Sequence, residues 1–143
     1  PPLDLNGSPF ASAAAWKESL LELPRQKVLV VDDDDAIRLM VERVLRREHF
    51  EVESARDGYE AIEKLTRNDY GTVLLDLMMP RLDGHGVLQF LETERDAPCP
   101  LVIVMSANVQ GAHDAARAAP VFRVLPKPFE IGELISNVKA AHT

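Results

Sequence analysis

Four carboxylates stand in a row at Asp32–Asp35, directly after the apolar run Val28–Val31. Two like charges 4 Å apart repel by about 4 kcal/mol at an effective dielectric of 20. A bound cation, a helix N-terminus or plain exposure to water must offset that repulsion. Other reactive side chains also follow apolar runs: Asp76 ends "VLLD", Ser106 ends "VIVMS" and Lys127 lies in "VLPKPF". Oxygen donors without a His or Cys cluster favour Mg²⁺ or Ca²⁺ over zinc, and Mg²⁺ keeps positions open for water and phosphate oxygens. A carboxylate can attack phosphorus, provided that positive charge and hydrogen-bond donors meet the transferring group. Lys127, a compact charge on a flexible stem, and the Ser106 hydroxyl are suited to that part.

These residues act together only if the chain brings the ends of the runs to one place. From Lys27 onward, the runs "KVLVV", "EVESA", "TVLLD", "LVIVMS" and "VFRVL" alternate with helical patterns over Ala36–Glu48, Gly58–Asn68, Gly84–Arg95, Asn108–Ala118 and Glu130–Ala141. Four runs are nearly continuous and read as strands buried on both faces, whereas "EVESA" alternates and reads as an edge strand. Five strands alternating with five helices predict an α/β fold, a parallel sheet with helices on both faces. Ligands of such sheets bind outside the carboxyl ends of the strands. That edge receives Asp32 and Asp33, Asp76, Ser106 and Lys127, while the second strand offers only Ala55 and Arg56. Asp34 and Asp35 precede the helical stripe Ile37, Met40, Val41, Val44 and Leu45, and read as a helix cap and its neighbour.

Composition bounds the rest. The 143 residues, 46% hydrophobic, suit one domain with a sizeable core. A net charge of −7 argues against a direct nucleic-acid surface. Cys99 is the one cysteine, which excludes an internal disulfide and fits a reducing compartment. No run is long enough to span a bilayer and no signal-peptide pattern appears, so no membrane association is expected and cytoplasm is the expected location. Residues 1–25 read as a leader rich in turn formers, with a short helix over Ser12–Leu23 ended by Pro24, and residues 26–143 as the domain. His49, His85, His113 and His142 show no ligand spacing, and no Ser is paired with a His and an acid in a nucleophile pattern.

"VLVVDDDDAIR", "VLLDLMMPRLDG", "VIVMSAN" and "VLPKPF", in that order, resemble the four signatures of the receiver domain of bacterial two-component response regulators. The resemblance covers about residues 26 to 142. It implies a flavodoxin-like sheet of order 2-1-3-4-5, an order for which a receiver protein is a standard example. It assigns Asp76 as phosphoacceptor, loaded from a phosphohistidine on a partner histidine kinase or phosphotransfer protein. Asp33 would bind Mg²⁺ directly, Asp32 through metal-bound water, and Met78 through its backbone carbonyl; Ser106 and Lys127 would bind the phosphoryl group. The Lys127–Pro128 bond resembles one that is cis in the family. A switch aromatic three residues before that Lys is replaced by Val124, with Phe122 two residues away on the same predicted strand face. The expected role is regulatory rather than metabolic, with the face of the fourth helix, fifth strand and fifth helix read by a partner.

Two rivals share parts of this pattern. A haloacid-dehalogenase-like phosphatase would use Asp32 and Asp34 as its D-x-D pair but leaves Asp76 without a role. A receiver-like interaction module independent of phosphorylation would fit the Val124 departure. The chain begins at Pro1, and its connector-like leader favours a receiver joined to an upstream domain of a larger regulator or hybrid kinase over one that stands alone; homodimerisation is a further option for the leader helix.

Overall fold

The computed structural model describes residues 27–93, 99–117 and 121–142. The predicted leader helix lies outside them, as do Glu94, Arg95 and Ala118 at the predicted ends of two later helices. Ten elements alternate along the chain: β1 (Lys27–Val31), α1 (Asp35–Arg47), β2 (Glu51–Ala55), α2 (Gly58–Arg67), β3 (Thr72–Asp76), α3 (Gly84–Thr93), β4 (Leu101–Ser106), α4 (Val109–Ala116), β5 (Val121–Pro126) and α5 (Ile131–Ala141). All strand pairs are parallel, in the order β2-β1-β3-β4-β5. Successive strands are added to one side of β1 as β2 and to the other side from β3 onward, and this switch leaves a crevice at the carboxyl ends of β1 and β3, where Asp32 and Asp76 emerge.

Alternation along each strand splits the core in two. Leu29, Val31, Val73, Leu75, Val102 and Val104 face α2, α3 and α4 through Ala61, Leu65, Val87, Leu88, Leu91 and Ala112. Val28, Val30, Leu74, Ile103 and Met105 face α1 and α5 through Val41, Leu45, Leu134 and Val138. β1 and β3 are buried on both faces, as continuous apolar runs require, and β2 is an edge strand as its alternation predicts.

β5 departs from expectation. The run "VFRVL" reads as a fully buried strand, yet it forms the opposite edge and buries only Leu125. Its register with β4 skips one residue: Val102 pairs with Val121 but Ile103 with Arg123, so Phe122 sits at a bulge. The bulge breaks the two-residue period, so Phe122 and Val124 are not related by simple alternation. Val121 and Val124 pack against the same core cluster, while Phe122 is exposed beneath the Arg123 guanidinium, 5.1 Å from its ring centre.

Candidate functional site at the carboxyl edge of the sheet

The turn after β1 divides the four aspartates. Asp34 is the N-cap of α1: its carboxylate accepts the N–H groups of Ala36 (2.9 Å) and Ile37 (3.1 Å). Asp35 lies in the first helical turn, where the positive end of the helix favours an acid. Asp34 is thus committed to the helix, which removes the D-x-D arrangement a phosphatase would need. Asp32 points the other way and is fully buried. Its Oδ1 accepts the Asp34 N–H (2.9 Å) and its Oδ2 the Lys127 ammonium (2.8 Å). Asp33 is exposed.

Asp76 ends β3 only 4% exposed, and its Oδ1 accepts the Met78 N–H at 3.0 Å. The loop that follows folds back tightly. The Gly84 N–H donates to the Leu77 carbonyl, and a Cβ on Gly84 would lie 2.6 Å from the Asp76 carbonyl oxygen. Only glycine lets α3 begin so close to the backbone at the end of β3. Gly58 serves the same loop from α2, donating its N–H to the Leu82 carbonyl. Lys127 reaches Asp76 Oδ2 at 3.4 Å, so one ammonium spans two carboxylates.

Ligand oxygens of Asp32, Asp33 and Asp76 lie within 4.8 Å of one another. Burial pushes the Asp76 carboxyl up to about 6, and the charge of Asp32 adds to the shift; the Met78 N–H and Lys127 oppose it without cancelling it. Burial pulls Lys127 down, but the hydrogen bond and charge of Asp32, together with Asp76, outweigh that and hold its pKa above the ordinary lysine value. Three carboxylates against one ammonium leave the pocket short of positive charge. A hard divalent cation fits such an all-oxygen cluster.

Ser106 ends β4 almost fully buried, but its hydroxyl belongs to a local turn. It accepts the Asn108 N–H (3.0 Å) and donates to the Asn108 carbonyl (3.2 Å). β5 is joined to it at this edge through the Lys127 N–H and the Ser106 carbonyl (2.9 Å), and the Lys127–Pro128 bond is cis. Met78 exposes its side chain beside Asp76, and Val124 is half-buried on β5. The structure therefore brings Asp32, Asp33, Asp76 and Lys127 together, while the Ser106 hydroxyl makes no hydrogen bond to them.

Two features escaped sequence reasoning. Arg38 is buried in the first turns of α1, with Nη1 donating to the Asp32 carbonyl (2.9 Å) and Nη2 to Asp35 (2.5 Å). An Arg one turn after an acidic run was the available signal. The second feature is an apolar groove of about 360 Å³ that opens against Lys127, lined by Ile37, Met40, Ala107, Pro128 and Phe129. Ile37 and Met40 belong to the predicted stripe of α1, which no periodicity could tell was only partly covered.

The family model described as the response regulator receiver domain matches residues 28–139. Response regulator MprA of Mycobacterium sp. (strain KMS) is 37% identical over 114 residues, 80% of this chain and 49% of that protein. The chain thus spans about half the length of the curated relatives it matches. Among solved structures, the signal receiver domain of a response regulator from Bermanella marisrubri superposes with a TM-score of 0.76 at 34% identity, covering 82% of this chain and 98% of that one. Response regulator TrrA from Thermotoga maritima, solved in complex with Mg²⁺-BeF, gives 0.70 at 28% identity, covering 80% and 97%. Four strand ends that deliver acids, a hydroxyl and an ammonium to one crevice, on a 2-1-3-4-5 sheet, and a family match over nearly all the described residues lead to one conclusion: this chain belongs to the receiver domains of two-component response regulators, regulatory phosphoacceptor modules with a flavodoxin-like fold.

Proposed function

We propose that Asp76 is the phosphoacceptor and that a partner's phosphohistidine, on a histidine kinase or phosphotransfer protein, is the donor. A carboxylate oxygen of Asp76 attacks phosphorus as the N–P bond breaks, and the electron pair of that bond returns to the imidazole nitrogen of the donor. The observation that carries this reading is the convergence of Asp32, Asp33 and Asp76 on a point that Lys127 also reaches. Asp32, Asp33, Asp76 and the Met78 carbonyl would hold Mg²⁺, which supplies positive charge for the oxygens of the transferring group. Lys127 stands ready to pair with the phosphoryl group from the other side. Ser106 serves the phosphoryl group only by releasing Asn108, which makes its hydroxyl the moving part of a two-state element. By the same set of contacts the domain assists both its own phosphorylation and the later hydrolysis.

The groove beside Lys127 suits a partner that presents an apolar helix face next to its phosphohistidine. Val109, Phe122 and Ile131, exposed on α4, β5 and α5, suit a second partner or a fused output segment that reads the phosphorylated state. The half-length match to longer regulators supports a fused segment. Without an aromatic at position 124, the change at Ser106 is read through the backbone of β4 and β5 rather than through a turning ring. Cytoplasm is the compartment that suits this reading, since it keeps Cys99 reduced.

Incubation with acetyl phosphate and Mg²⁺ should add one acid-labile phosphoryl group, read as a mass increase, and Asp76→Asn should abolish it. Labelling that persists in the variant overturns the assignment. Mg²⁺ with beryllofluoride should shift the amide resonances of Ser106 and Lys127 in the wild type but not in Asp76→Asn.

A further inference from the structure

Arg38 stands where a cation is least expected. It is the fourth residue of α1, at the positive end of the helix, where a positive charge is unfavourable. It is also 8% exposed, so its guanidinium has given up most of its water. Specific bonds must hold it there, and they do. Nη1 donates to the Asp32 carbonyl and Nη2 to the Asp35 carboxylate, so one planar fork ties the first and last members of the acidic run.

The consequence falls on Asp33. Every polar group of Asp32 is engaged: its N–H donates to the Ala55 carbonyl, its carboxylate takes Asp34 and Lys127, and its carbonyl takes Arg38. Asp33 is exposed, and among the described residues its carboxylate has no hydrogen-bond or ion-pair partner. It lies within 4.8 Å of Asp32 and Asp76 with no side-chain partner to hold it there, so the path of the backbone through the turn decides where it can reach. The Arg38 bond to the Asp32 carbonyl fixes the peptide plane that leads into Asp33.

We infer that Arg38 is a positioning residue for the acidic pair: its fork fixes the β1–α1 turn so that the Asp33 carboxylate is aimed at Asp32 and Asp76 before any cation arrives. This rests on the reading of that cluster as the Mg²⁺ site. The role belongs to the fork and not to the charge, since an ammonium cannot make two bonds in fixed directions.

The test is calorimetric titration of the unphosphorylated protein with MgCl₂, comparing wild type, Arg38→Lys, Arg38→Met and Asp35→Asn, with thermal melts to verify folding. Arg38→Lys and Arg38→Met should both weaken Mg²⁺ binding by roughly tenfold or more. Asp35→Asn, which changes an exposed side chain and leaves the Asp32 bond in place, should weaken it less. Acetyl phosphate labelling of the variants should reach the wild-type extent at saturating Mg²⁺, with only the half-saturating Mg²⁺ concentration raised. A folded Arg38→Lys protein that binds Mg²⁺ like the wild type overturns the inference, because charge alone then suffices. If Arg38→Met does not fold, the Lys and Asp35→Asn titrations decide alone. Absence of Mg²⁺ binding in the wild type would instead overturn the reading of the cluster itself.

Discussion

Glu53 and Asp76 each lie against a lysine. Glu53 Oε2 is 2.8 Å from Lys27, and Asp76 Oδ2 is 3.4 Å from Lys127. Burial opposes ionisation of both, yet their pKa values move in opposite directions. At Glu53, burial is the largest single influence, but the Lys27 bond, the Tyr70 hydroxyl (2.6 Å) and the Lys27 charge together outweigh it and hold the carboxyl below its ordinary range. At Asp76, burial and the charge of Asp32 prevail and hold it at about 6. The difference is how the cation is shared. Lys27 serves one carboxylate and also lies 5.2 Å from the Tyr70 ring centre, closing a small balanced cluster. Lys127 makes its shorter contact with Asp32 and is left to neutralise a group of three acids. A carboxylate in a balanced cluster stabilises the fold, whereas one in an unbalanced cluster carries repulsion that costs it stability, a pattern common at functional sites.

Removing each lysine should separate the two clusters most. Lys127→Met leaves a fully buried Asp32 without its cation and should cost about 3 kcal/mol in urea unfolding without Mg²⁺. Lys27→Met, next to a partly exposed partner, should cost less than about 1 kcal/mol. Equal losses would erase the distinction. Neutralising the acids should give opposite signs: in metal-free protein, Asp76→Asn should raise stability by about 1 kcal/mol by relieving repulsion within the cluster. Glu53→Gln should lower stability by about 1 kcal/mol, since it weakens hydrogen bonds to Lys27 and Tyr70. The smallest effect concerns pH. The folded-state pKa of Glu53 is depressed below 4.5, so its contribution is present above that value and is lost as pH falls through the folded-state pKa. Urea midpoints measured from pH 6 downward should therefore fall less steeply in Glu53→Gln than in the wild type, by less than about 1 kcal/mol after solvent screening.

How far the sequence reveals this molecule depends on whether a feature is local. β1, β3 and β4 are legible because a strand covered on both faces must be apolar at every position, and Val28–Val31 and Val73–Leu75 are. The delivery of Asp32, Asp76, Ser106 and Lys127 to one edge follows from the strand–helix alternation. The strand order does not, and it came from the family resemblance. β5 is less legible, because "VFRVL" shows its apolar content but not that no strand among the described residues pairs with its outer side. The skipped residue at Phe122 breaks the period on which face assignments rest, and no side-chain type announces it. Arg38 was hidden because a charged residue inside a helical stripe reads as solvated until its partners are placed. That Lys127 lies closer to Asp32 than to Asp76 depends on a distance between residues 95 positions apart in the chain.

The two rims of the sheet also act as defences against assembly. An exposed strand edge presents unpaired N–H and C=O groups that another chain could extend. β2 carries the exposed Glu51, whose charge opposes a neighbouring copy of the same strand. β5 is interrupted at Phe122, carries Arg123 on its exposed stretch and ends at Pro126, which has no N–H to offer. Smoothing that bulge by deleting Phe122 should give a straighter rim that pairs more readily with another chain, so the irregularity that breaks the strand's periodicity also serves to guard its edge.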